Sequence, residues 1–308
     1  MRAIKILAVG LCTVAVAAAG FLYLKPEETL DRVYSLERWR SGLVEKEITL
    51  KGGLRYVYLE GGRGEPLMLL HGFGADKENF TRVARYLTPN YRVIIPDHIG
   101  FGESSHPEEA DYTAAAQAAR LRSLALALGA KELHLGGSSM GGHICLMYAA
   151  LYPSEVKSLW LLDPGGVWSA PEGEIRKKYN ETGVNPLMAE NEDQFAETYN
   201  FVMNNPPYIP RPLLDVMARE RIKNFALEQR IFKQLTADSV EERVRGLKVP
   251  ALIVWGAEDR AINVAAAGIL HGLMPNSRVI ILQGIGHLPM IETPAQCAED
   301  YLDFRLSL

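Results

Sequence analysis

The chain has 308 residues, 48% hydrophobic and 23% charged, a balance typical of a globular protein with a sizeable core. Its formal charge of −4 gives no electrostatic reason to bind nucleic acid. Cys12, Cys145 and Cys297 show neither metal-ligand spacing nor a disulfide framework, so the cysteines exclude a stapled scaffold and leave the redox compartment open.

The first predicted element is apolar. Ile6 to Leu24 carries no charge and is close to the roughly 20 residues that span a bilayer. Arg2 and Lys5 precede it and Lys25 follows. Residues 1–25 are therefore expected to be a retained single-pass anchor, with the N-terminus cytoplasmic and the remaining domain outside. In a bacterium that is the periplasmic side of the inner membrane. A cleavable signal peptide is the alternative, since Ala17-Ala18-Ala19 resembles a cleavage site. The apolar run continues past it through Phe21, Leu22, Tyr23 and Leu24, which argues for retention. The small residues from Ala15 to Gly20 suit packing against a second helix, as in a homodimer. Residues 26–44 predict a juxtamembrane helix: Pro26 suits a first turn, and Leu30, Val33, Tyr34 and Leu43 recur at roughly helical spacing. Arg32, Arg38 and Arg40 among them suit either lipid headgroups or packing on the domain itself.

From residue 45 apolar strands alternate with helical patterns. "LRYVYLE", "PLMLL", "YRVIIPD", "KELHLGG" and "VKSLWLLD" are strand-like, and helices are expected over Asp76–Leu87, Tyr112–Leu128 and Met140–Tyr152. This rhythm predicts an α/β fold with a mostly parallel sheet flanked by helices. Between residues 164 and 246 it breaks. Helical patterns over Glu190–Met203 and Leu213–Leu235 flank the prolines 206, 207, 210 and 212, which predicts a helical cap inserted into the domain. Alternation resumes with "ALIVWG", a helix near Asn263–Met274, "RVIIL" and a final helix from Thr293. The α/β core is thus expected over 45–163 and 247–308.

Chemistry concentrates where strands end. Gly137-Ser138-Ser139-Met140-Gly141 fits G-x-S-x-G at a strand-to-helix turn, the context that motif requires. Such a turn lifts its central residue, Ser139, above the sheet, and flanking glycines remove side chains that would collide. A serine hydroxyl needs a base, and the base an orienting acid. His287 in "GIGHLPMIETP" and Asp259 in "VWGAEDRAI" follow later strands in the order serine, acid, histidine. Asp163, at another strand end, and the adjacent Glu258 are the competing acids. His134 and His143 lie on regular elements, His106 and His271 are expected in solvent, and His71 and His98 precede the serine. Backbone N–H groups of Met140, opening a helix, and Phe73, in "HGFG", are candidates for an oxyanion hole. No metal or cofactor is required.

Together "LLHGFG", "DHIGFGES", "GGSSMGG", "VWGAEDRAI" and "GHLPMIETP" resemble the α/β-hydrolase fold family over roughly residues 45–308. A serine at the turn separates the chain from haloalkane dehalogenases, which carry aspartate there. The anchor, "LHGFGADKENF" and "YAALYPSEVKSLWLLDPGG" make it most similar to membrane-anchored monoacylglycerol lipases and to bacterial membrane-bound lipases and phospholipases A. The resemblance implies a triad of Ser139, Asp259 and His287 with Phe73 and Met140 as oxyanion donors. It also implies a lipid substrate (monoacylglycerol, lysophospholipid or phospholipid) at a membrane bilayer, with fatty acid as product. C–C bond hydrolysis of ring-cleavage products on the same fold, and a non-catalytic binding module, are the alternatives. The cap is not matched residue by residue.

Overall fold

The computed structural model describes residues 20–308. Most of the apolar segment expected to be an anchor therefore lies outside the described residues. Among the described residues no helix is long and apolar enough to cross a membrane.

Helix α1 (Pro26–Arg40) starts with proline in its first turn, has Glu27 and Glu28 there and Arg38 and Arg40 in its last turn. That charge order complements the helix dipole. Eight strands follow: β1 (Leu43–Thr49), β2 (Arg55–Gly61), β3 (Glu65–Leu70), β4 (Tyr91–Pro96), β5 (Leu133–Ser138), β6 (Val156–Leu162), β7 (Ala251–Gly256) and β8 (Ser277–Leu282). They form one sheet in the order β1-β2-β4-β3-β5-β6-β7-β8. Pairings β1–β2 and β2–β4 are antiparallel; every other pairing is parallel.

Burial explains the sequence of the strands. β5 and β7 are buried along their whole length and β6 at all but one residue, because helices cover both faces. One face packs under α3 (Ala114–Ala127) and α4 (Met140–Leu151), the other under α2 (Thr81–Leu87) and the C-terminal helix α12 (Pro294–Leu306). Strand β1 does not show this pattern: six of its seven residues are exposed or half-buried, and it forms the sheet edge. It lacks the apolar run that marks the inner strands and begins at Leu43, before the expected start of the core.

Between β6 and β7 the chain passes through α5 (Glu174–Thr182), α6 (Glu192–Val202), α7 (Arg211–Lys223), α8 (Phe225–Thr236) and α9 (Glu241–Val244). The helical pattern expected over Leu213–Leu235 is two helices, broken at Asn224. The break brings Arg221 against Glu228, Nε to Oε1 2.7 Å. In one continuous helix residues seven apart lie about 10 Å apart along the axis. Phe195, Leu214 and Ala218 form a small core within the insertion, while Ile231, Leu235, Val240 and Val244 join the main core. The segment after β7 carries α10 (Ala265–Leu273), and α11 (Pro289–Glu292) precedes α12.

Candidate active site

Strand β5 passes into α4 through Ser139, whose backbone is forced to φ 53°, ψ −116°. A positive φ in a non-glycine residue costs roughly 1–3 kcal/mol, and it persists only where surrounding bonds impose it. Here the Ser139 N–H donates to the Leu162 carbonyl (3.0 Å), and the Ser139 carbonyl accepts from Gly165 (2.9 Å) and His143 (3.0 Å). The glycines make room for the crossing. A Cβ on Gly137 would lie 2.4 Å from the Gly141 backbone, and one on Gly142 would lie 2.6 Å from Pro164 Cβ. The two serines part company: Ser138 is fully buried, while Ser139 lines a cavity.

The loop after β8 carries His287 and the loop after β7 carries Asp259. Nδ1 of His287 lies 2.8 Å from Oδ2 of Asp259. A carboxylate there calls for a proton on Nδ1, which leaves Nε2 as the acceptor nitrogen. Asp259 is itself held on every side. Oδ1 accepts from the N–H groups of Ala261 (2.7 Å) and Ile262 (3.0 Å), and Oδ2 also accepts from Trp255 Nε1 (3.1 Å). His287 is held from the insertion, donating its own N–H to the Val202 carbonyl at 2.9 Å. Glu292 ties the same loop down: it accepts from Gly286 N–H (2.9 Å) and from Asn204 (3.0 Å) and Asn205 (2.7 Å).

Asp163 stands at the end of β6 with φ 47° and no exposed surface. Its Oδ1 accepts from Gly256 N–H at 2.9 Å, and it is Asp259, not Asp163, that accepts the hydrogen bond from the imidazole. Donor atoms of Asp163, Asp259 and His287 all lie within 4.8 Å of one another. Nδ1 of His287 and both Asp259 oxygens already have partners, so the arrangement is two closely spaced carboxyl groups beside an imidazole.

The loop after β3 crosses next to the serine: a Cβ on Gly72 would meet Ser139 Cβ at 3.3 Å. His71, buried, orders this loop. Its Nδ1–H donates to the Gly72 carbonyl (2.8 Å) and its Nε2 accepts from His98 N–H (3.1 Å). Burial pushes the His71 imidazole below its ordinary value, consistent with this neutral tautomer. Among the described residues neither the Phe73 nor the Met140 N–H has an acceptor. Met140 opens α4, where the helix dipole favours negative charge.

Residues 65–294 match the model of the alpha/beta hydrolase fold family. The chain belongs to this family. It is 44% identical to Lipase 1 of Psychrobacter immobilis over 285 residues, 90% of this chain and 89% of the relative. It is 28% identical to the monoacylglycerol lipase ABHD6 of Mus musculus over 82% of this chain and 80% of that protein. A solved structure of a membrane phospholipase A, described as a bacterial virulence factor, superposes with a TM-score of 0.89 at 37% identity, covering 98% of both chains.

In this hydrolase Ser139 and His287 line one cavity of about 820 Å³. Phe195, Tyr199, Leu213 and Met217 of the insertion form its apolar wall, and Phe195 belongs to the insertion's own small core as well. The wall is completed by Leu30 and Val33 of α1, which packs on the domain itself. Arg221 lies over the loop after β3, 5.8 Å from the Phe73 ring centroid, and its guanidinium occupies the space that a Cβ on Gly74 would take. His106, expected in solvent, is half-buried 4.0 Å from Glu220. Sequence reasoning assigned no role to Trp255, Glu292 or Arg221. Glu292 lies within the segment "GHLPMIETP", but nothing local shows that its carboxylate reaches back to Gly286.

Proposed function

We propose that this chain is a serine hydrolase that cleaves acyl esters of membrane lipids (monoacylglycerols, lysophospholipids or phospholipids) through an acyl-enzyme. The observation that carries the reading is the convergence, in one largely apolar cavity, of a strained serine and a carboxylate-bound imidazole. Ser139 Oγ attacks the ester carbonyl while His287 Nε2 takes its proton, and Asp259 holds the ring and stabilises the imidazolium. The N–H groups of Phe73 and Met140 receive the developing oxyanion, each worth roughly 10²–10³ in rate. His287 then passes the proton to the departing alcohol. Water, deprotonated by the same imidazole, releases the fatty acid.

Residues 164–246 act as the cap over residues 45–163 and 247–308, and their apolar side chains hold the acyl chain. Residues 1–25 anchor the enzyme, and residues 26–44 lie at the membrane surface with the catalytic domain outside. Support comes from the charge-free stretch Ile6–Leu24 and from the likeness to a membrane phospholipase A. A homodimer through the anchor and the following helix fits its small residues.

Exposure to a fluorophosphonate probe and assay on p-nitrophenyl esters, monoacylglycerols and defined phospholipids tests this. Stoichiometric labelling at Ser139 with release of fatty acid is expected. Absence of labelling and of acyl-ester turnover in the full-length protein overturns the reading. Cleavage of a soluble diketone without any lipid hydrolysis would put the C–C bond chemistry in its place.

A further inference from the structure

Asp163 is not used by the mechanism above, yet it is fully buried against the groups that carry it. Its N–H donates to Val254 (3.0 Å) and its Oδ1 accepts from Gly256, so backbone bonds to β7 fix the side chain. Its Oδ2 is buried and, among the described residues, receives no hydrogen bond. The groups facing it are Asp259 and His287 from two loops, Glu292 from α11 and Cys297 from α12. A strained backbone at φ 47° holds an aspartate where a second negative charge is least welcome.

Two ionised carboxylates this close, away from water, repel each other and leave Oδ2 charged without a donor. One proton removes both problems. We propose that Asp163 is held as a neutral carboxylic acid whose Oδ2–H donates to Asp259, making it a positioning residue for the carboxylate that orients His287. The inference rests on the proposed roles of Asp259 and His287. Burial, followed by the Asp259 charge, pushes the Asp163 carboxyl well above the ordinary carboxylate range. The consequence for catalysis is electrostatic. A second anion beside the imidazole would favour imidazolium, which cannot act as a base; a neutral donor orients Asp259 without adding that charge.

The test compares the full-length enzyme with Asp163→Asn and Asp163→Ala. Asparagine tolerates the positive φ, accepts from Gly256 and donates an amide hydrogen to Asp259, whereas alanine supplies no donor. Infrared difference spectra at neutral pH should show the C=O stretch of a protonated carboxylic acid that Asp163→Asn lacks; absence of that band in the wild type overturns the proposal. The acid limb of the kcat/KM profile on a soluble ester should coincide in wild type and Asp163→Asn. If Asp163 is instead ionised, removing its charge moves that limb down by about one pH unit or more, which also overturns the proposal. Asp163→Ala should lower kcat about tenfold and move the limb upward, and an unchanged profile sinks the positioning role. Should the alanine variant not fold, the asparagine profile and the spectrum still decide. If the wild type hydrolyses no ester, the functional reading fails, while the infrared band still reports on Asp163.

Discussion

Gly141 of α4 crosses the end of β3 so closely that a Cβ on it would lie 2.0 Å from the Leu70 carbonyl oxygen. Backbone, not a flexible side chain, occupies that space, so the crossing cannot relax around a methyl group. It brings the loop carrying Phe73 beside the turn carrying Ser139. Gly141→Ala should therefore destabilise the protein by about 3 kcal/mol or more and abolish probe labelling. Gly268 in α10, with nothing within 4 Å, is the control. There the same change should be neutral or stabilising by up to about 1 kcal/mol in denaturant unfolding.

Ser139→Ala should eliminate fluorophosphonate labelling and lower kcat by roughly 10⁴–10⁶. Ser138→Ala removes a buried hydroxyl that has no hydrogen-bond partner among the described residues, so labelling should persist and stability change little. Turnover in Ser139→Ala equal to wild type would remove the nucleophile from this account.

Asp259→Asn should lower kcat on the order of 10⁴-fold while the melting temperature stays near wild type, because the amide imposes the wrong tautomer on His287. Steady-state kinetics beside thermal melting separates this from unfolding. Loss of structure in parallel with loss of rate would make Asp259 a structural residue only.

Leu22 lines the cavity, so a truncation meant to test membrane concentration should stop before it. Removing residues 1–19 should leave hydrolysis of a short soluble ester intact and reduce release of fatty acid from vesicles. Helix α1 exposes Leu36 and Trp39 with Arg32 and Arg40, a surface suited to residual binding at headgroups. The loss should therefore deepen as salt screens the arginines. Equal activity of both forms on vesicles would count against the anchor.

Stability should depend on pH through two carboxyls beneath α1. Burial pushes Glu78 up to about 7, although Arg38 bonds it, and pushes Asp76 up to about 6. Both folded values exceed the unfolded ones, so the unfolded state ionises first as pH rises. The associated stability is fully present below about pH 4 and is lost progressively as pH climbs through 6 and 7. For Glu78 the change is up to about 3 kcal/mol. Glu78→Gln should flatten the fall in melting temperature between pH 5 and 8; an identical slope in variant and wild type would refute it.

The sequence by itself determined whatever depends on near neighbours. Short apolar runs marked the inner strands, because burial on both faces leaves no polar side. Glycines two residues either side of Ser139 marked the turn, because their crowding is a local backbone property. Strand β1 escaped notice because an edge strand needs no apolar face, and the helix break at Asn224 because both halves share one helical pattern. Other relationships exist only after the sheet assembles. Parallel pairing of β6 with β7 sets Asp163 against Gly256, 93 residues away in the chain. Glu292 reaches Asn205 across 87 residues, and α1 closes a cavity whose serine lies far along the sequence. No spacing encodes such contacts, since hydrogen bonds and burial between distant segments depend on where the strands end in space. Motif order favoured Asp259 over Asp163, but only the tertiary structure sets Asp259 against the imidazole and leaves Asp163 buried beside it.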